Sequence, residues 1–266
     1  MMRNVFGRAL HDQWRWLFGW AIFAAIWPAL YVGLYPSIGA FEDLGKLLDQ
    51  LPPAIREFFA SSSLDLSSPE GFLNLEFFTF VGPLLLLAFT VVVGGSATAG
   101  EEERGTIDLL LANPVPRWRV VFDKTLVMLV GAVLITGAMW LGAAAGSRIG
   151  GVDLELSRVG AALVSTLLLG LALGTLALAL GSITGQRWLS AGIALAVAVA
   201  GFFLNGFGAL VDWLEPFRPL SPFYHYIAND PLRNGLDPNH AAVLVGWAVA
   251  GFIVAVVAFE RRDLRS

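Results

Sequence analysis

Residues 99–119 read A-G-E-E-E-R-G-T-I-D-L-L-L-A-N-P-V-P-R-W-R, a charged segment with a short amphipathic core, set between two long apolar runs. The run before it begins near Phe77 and ends at Ala99; the run after it begins near Val120. Each has the roughly 20 mostly apolar residues that a helix needs to cross the hydrocarbon core of a bilayer, where no water satisfies backbone groups. Four further runs have the same character. The spans are expected at about residues 17–35, 77–99, 120–146, 159–183, 188–211 and 241–259. Composition agrees: 56% of the 266 residues are hydrophobic and 14% charged, against about 25% charged in an average soluble domain. Mean hydropathy is +0.69. The expected fold is an all-α membrane protein of six transmembrane helices, forming one domain over residues 1–266.

Basic residues set the expected orientation. With a cytoplasmic N-terminus, the inside segments hold Arg3, Arg8 and Arg15, then Arg104, Arg117, Arg119 and Lys124, then Arg187, then Arg261, Arg262 and Arg265. The outside segments hold Lys46, Arg56, Arg148, Arg158, Arg218 and Arg233, spread over longer loops where the bias counts for less. Both termini are therefore expected inside. The first run, at about 19 residues, exceeds the 7–15 of a signal-peptide core and reads as an uncleaved anchor. The net charge of −4 gives no hint of nucleic-acid binding.

What the spans lack narrows the chemistry. No Asp, Glu, Lys, Arg or His sits in the middle of any run, which disfavours a proton-driven carrier. There is no H-E-x-x-H, no paired Asp and no G-x-S-x-G, so no protease site is expected. The phosphate-binding G-x-x-x-x-G-K-[ST] is missing, so the chain is not expected to hydrolyse ATP, and no enzyme activity is expected of it. With no Cys, disulfides and thiolate metal sites are excluded. The three histidines, His11, His225 and His240, are too scattered to predict a zinc site.

Within the opening segment, the second run continues into Glu101, Glu102, Glu103 and Arg104. Three carboxylates at a helix C-terminus oppose the macrodipole, each costing about 0.3–1 kcal/mol when exposed, and a cationic surface would offset that. Gly105 can close the helix in the left-handed conformation, and Thr106 can cap a new one. Asn113-Pro114-Val115-Pro116 ends it. In this short helix Ile107, Leu110 and Leu111 form one apolar face and Asp108 points elsewhere. A helix of six or seven residues is not stable alone. Its apolar face either lies on the bilayer surface or fills a groove on a cytoplasmic protein. Arg117, Arg119 and Lys124 are expected to anchor the next span at the headgroups.

The run E-E-E-R-G-T-I-D-L-L-L-A-N-P-V-P-R-W-R-V-V-F-D-K (residues 101–124) resembles the signature of ABC-2 type transporter permeases: an acidic residue before G-T, a D-x-L-L helix, a P-V-x-R turn and a Lys early in the next span. Pro219-Leu220-Ser221-Pro222-Phe223-Tyr224, Pro231-Leu232-x-x-Gly235 and Phe259-Glu260-Arg261-Arg262-Asp263 resemble the last outside loop and the tail of the same family. Asn113 stands where a small residue is expected. The resemblance covers essentially the whole chain. It implies a permease domain acting as the transmembrane subunit of an ATP-driven ABC exporter in the inner or plasma membrane. Two separate ATP-binding subunits would carry ATP and Mg, and a second permease copy would complete the complex, a homodimer being favoured over a heterodimer. The chain itself would hold no cofactor.

On that resemblance Gly105, Thr106, Ile107, Asp108, Leu110 and Leu111 would form a coupling helix between spans 2 and 3, with Glu101, Glu102, Glu103 and Arg104 as its approach. The loop after span 5, with Asn205, Phe223, Tyr224 and Tyr226, would hold short re-entrant helices forming an outer gate; an aromatic belt at the headgroups explains the same rings. Two further alternatives remain: a membrane subunit for assembly or maturation of an exported factor, and a non-energised anchor that docks a soluble partner. An apolar lining suggests a hydrophobic or amphipathic cargo.

Elsewhere, Phe6, Leu10, Trp14 and Leu17 fall on one helical face before the first span. Leu44 to Leu51 and Ile55 to Phe59 predict two short helices in the first outside loop. Gly170, Gly174, Ala177 and Gly181 form a small-residue stripe that serves either packing within the bundle or a dimer seam. Pro28 and Pro83 can kink the first two spans, and the carbonyls they free would need neighbours.

Overall fold

The computed structural model describes residues 5–37, 68–105 and 116–262. All regular structure among them is helical, and six helices are long and apolar enough to cross a membrane. The first span is α1, Val5–Leu34. The second is composite, running over Pro69–Ser96: α2 (Pro69–Leu73), a π-helical turn (Asn74–Val81) and α3 (Gly82–Ser96). A break at Ala97 and Thr98 separates it from the short α4 (Ala99–Glu103). The remaining spans are α5 (Arg117–Gly150), α6 (Leu156–Thr184), α7 (Arg187–Gly208) and α10 (Pro238–Arg261). Between α7 and α10 lie a 3-10 turn (Glu215–Leu220), α8 (Pro222–Ile227) and α9 (Pro231–Asn234), here called the hairpin.

All six expected spans are present as long apolar helices: the third, fourth and sixth run one to four residues past their expected ends, whereas the second stops at Ser96 and the fifth at Gly208, three residues short of theirs. The first begins well before its apolar run. It is one continuous helix from Val5, and Leu17 is buried at 2% exposure while Trp14 is 53% exposed. Of the face that the spacing suggested for the interface, Leu17 thus turns into the bundle core while Trp14 stays at the surface. The helices expected between residues 44 and 59 lie outside the described residues.

The bundle is organised around α6, which contacts α3, α5, α7 and α10. Its small residues explain why. A Cβ at Gly174 would meet Thr90 Cβ at 2.8 Å and Met128 Sδ at 2.9 Å, one at Gly181 the Gly95 carbonyl oxygen at 2.9 Å, and one at Gly170 the Leu86 side chain at 2.9 Å. The stripe is thus consumed by backbone approach to α3 inside one chain. The contact of α1 with α5 uses the same device: Gly142 and Gly146 of α5 sit against the carbonyl oxygens of Ala25 and Ala29. In lipid, where apolar surface gains nothing by leaving its solvent, such close packing is what holds helices together.

Candidate functional site

Polar side chains concentrate at the two ends of the bundle. At one end the break at Ala97 and Thr98 restarts the helix, so Glu101 and Glu102 fall in the first turn of α4 instead of at the end of a long helix. The hydroxyls of Thr98 and Ser182 meet at 3.2 Å across the break. Successive helical residues point about 100° apart, and the three carboxylates separate accordingly. Glu101 Oε1 accepts from Lys124 Nζ of α5 at 2.6 Å and pairs with Arg104 at 3.3 Å. Glu102 Oε1 accepts from Arg262 Nη2, just past α10, at 2.8 Å. Glu103 Oε1 accepts from the backbone N–H of Arg187 at 2.9 Å, capping the start of α7.

Each carboxylate is therefore tied to a different span. The two ion pairs are well shielded, with side chains only 13–22% exposed. Arg117 of α5 extends the network by donating to the carbonyls of Arg262 at 2.9 Å and Phe259 at 3.4 Å, the negative end of the α10 dipole. Gly105 follows with φ of +64°.

At the other end the hairpin is bolted into the bundle. Pro83 lies just past the π turn of the second span. Within the turn the Gly82 N–H donates to Phe77 O, so the π-type donor for Phe78 O would be the N–H of residue 83, which proline lacks. The hydroxyl of Tyr226 supplies it at 2.7 Å. Tyr226 is buried at 2% exposure; Thr166 donates to its hydroxyl at 3.3 Å and Ser165 to its backbone carbonyl at 2.9 Å. Burial pushes the phenol up, which keeps it a donor. Ser221 caps α8 through Phe223 N and donates to Gly201 O of α7 at 2.7 Å. Asn74 donates to Asp230 Oδ1 at 3.1 Å. On the far face of α8, His225 Nδ1 lies 3.0 Å from His240 Nδ1, while its Nε2 contacts Pro219 O at 2.9 Å. A carbonyl only accepts, so Nε2 of His225 carries the proton.

A family profile described as ABC-2 family transporter protein matches residues 4–264. This chain belongs to the ABC-2 family. No curated protein matches it. Membership makes it a multi-pass membrane subunit of a transport system, not itself catalytic, and implies association with a separate ABC ATP-binding subunit.

In this ABC-2 permease Glu101, Glu102, Glu103 and Arg104 lie at one end of the bundle with Gly105, Lys124 and Arg117, the glutamates reaching different partners. Thr106, Ile107, Asp108, Leu110 and Leu111 lie outside the described residues. Arg117 and Lys124 spend their donors on the chain itself, and Arg119 is exposed. Of the hairpin residues, Phe223 and Tyr226 are buried in one cluster with Phe202, whereas Tyr224 lies on the histidine face with Arg218 5.5 Å from its ring. Asn205 is 8% exposed, with Oδ1 unbonded among the described residues.

Sequence reasoning gave no such role to Arg262, Arg187 and Ser182 at one end, or to Phe78, Ser165, Thr166 and Ser221 at the other. Ser221-Pro222 is a readable helix start, a cap before proline at the first helical position. The role of Phe78 could be traced only through Pro83. The ties to Arg262 and Arg187 leave no local signal.

Proposed function

We propose that the chain is the transmembrane subunit of an ATP-driven exporter in the inner or plasma membrane, with the glutamate end in the cytoplasm. Two permease copies assemble with two ATP-binding subunits, which hold ATP and its Mg²⁺, and the cargo is hydrophobic or amphipathic. One observation carries the reading. Immediately before residues 106–115, three consecutive carboxylates bind three different spans, α5, α10 and α7. A push that reaches α4 is passed through these bonds to α5, α10 and α7.

The test is a charge swap in the complex reconstituted with its ATP-binding subunit. Removing one partner of a shielded ion pair leaves an uncompensated charge. Glu102→Arg and Arg262→Glu should each lower cargo-stimulated ATPase activity roughly tenfold, about 1.4 kcal/mol, and the double exchange should recover most of it. Single variants that turn over like the parent, with protein levels unchanged, would refute transmission through this pair. Leu110→Asp with Leu111→Asp should abolish co-purification of the ATP-binding subunit.

A further inference from the structure

The side of α1 that faces the second span holds an aromatic track. α1 lies along α5, and its main backbone contacts with the second span are at α2 and the π turn. Rings fill the interval. Trp16 stacks on Phe89 of α3 at 5.6 Å and on Trp20 at 5.8 Å; Trp20 meets Phe23 at 5.9 Å, Phe23 meets Trp27 edge-on at 6.3 Å, and Trp27 meets Tyr31 at 6.1 Å. No ionisable group other than Tyr31 occurs from Trp16 to Tyr31. One border of the track is open, since Trp16 is 46% and Phe23 44% exposed.

Two donors inside the track find no partner among the described residues. The indole N–H groups of Trp20 and Trp27 are buried with no hydrogen-bond acceptor among the described residues. Within a bilayer no water stands in for one. An indole only donates, so whatever satisfies it must present an acceptor. Seven residues place the two N–H groups on one face, about 10 Å apart along the helix, too far for one oxygen to serve both at once.

We propose that this seam binds the cargo of the exporter, and that the cargo is an uncharged amphiphile with ester, ether or amide oxygens. Its chain lies on the rings and its oxygen passes between two stations, Trp20 and Trp27. The open border at Trp16 and Phe23 admits it sideways from the bilayer. The proposal rests on the exporter reading for the word cargo, but the binding itself requires no ATP.

The permease is reconstituted in phosphatidylcholine nanodiscs with its indole nitrogens labelled with ¹⁵N, and the resonances are assigned with Trp20→Phe and Trp27→Phe. It is then titrated with a monoacylglycerol and, separately, with hexadecane. The indole protons of Trp20 and Trp27 should move downfield saturably with the monoacylglycerol and stay in place with hexadecane, while exposed Trp213 stays in place with both. Absence of movement, or equal movement with the alkane, overturns the proposal. So does a hydrogen-bonded position already present in phosphatidylcholine alone, which would make the occupant a resident lipid. Saturable binding without stimulated turnover in the full complex would instead count against the exporter reading.

Discussion

Asp230 is the non-glycine residue held at positive φ, +45°, among those described. Its carboxyl is buried, accepts from Asn74 at 3.1 Å and lies 3.8 Å from Arg233. Desolvation pushes it above the usual carboxylate range, with Arg233 and the hydrogen bonds pulling partly back. A raised acid means that the folded chain holds the proton more tightly than the unfolded one. The stability this brings is complete below the ordinary carboxylate range and is lost as pH rises through the folded value. Asparagine keeps the acceptor, tolerates the left-handed backbone and carries no charge to bury. Asp230→Asn should therefore raise the thermal midpoint at pH 7, and the gain should vanish in acid. A midpoint that drops at pH 7 would mean that the Arg233 pairing outweighs desolvation.

At the scale of elements, the second span is fixed by a bond that its own helix cannot make. Tyr226→Phe leaves Phe78 O without its donor in a buried site, a loss of about 1–3 kcal/mol. Pro83→Ala returns a backbone N–H at the position the π turn requires. In a double-mutant cycle followed by thermal unfolding, the Tyr226→Phe penalty should shrink in the Pro83→Ala background; equal penalties in both would detach Tyr226 from the π turn. Spans could be read from the sequence because twenty apolar residues have few other fates. The π turn could not, because Asn74 to Val81 is as apolar and aromatic as an α-helical stretch and only Pro83 marks the change. Likewise Glu101 to Glu103 announced an acidic helix end in need of cations. The cations, Lys124 and Arg262, come from elements whose proximity is decided by packing of the whole bundle.

For the molecule as a whole, the glycine stripe of α6 is used up inside one chain. Gly174 faces Thr90 and Met128 of its own chain, so that face is spent before any partner arrives. Gly174→Val should abolish folded monomer, seen as loss of a monodisperse peak in detergent, rather than yield a stable protein defective only in pairing. A well-folded monomer that no longer dimerises would assign the stripe to the seam between copies. The choice between these two uses was invisible in the sequence, since either requires the same small residues at the same spacing.

The carbonyl that borrows its donor from a distant phenol also ties two positions together in descent. A lineage that replaces Pro83 frees position 226 to lose its hydroxyl, and one that loses the hydroxyl first inherits an orphaned oxygen in a dry interior. Across distant relatives, proline at the one site and tyrosine at the other are to be kept or surrendered as a pair.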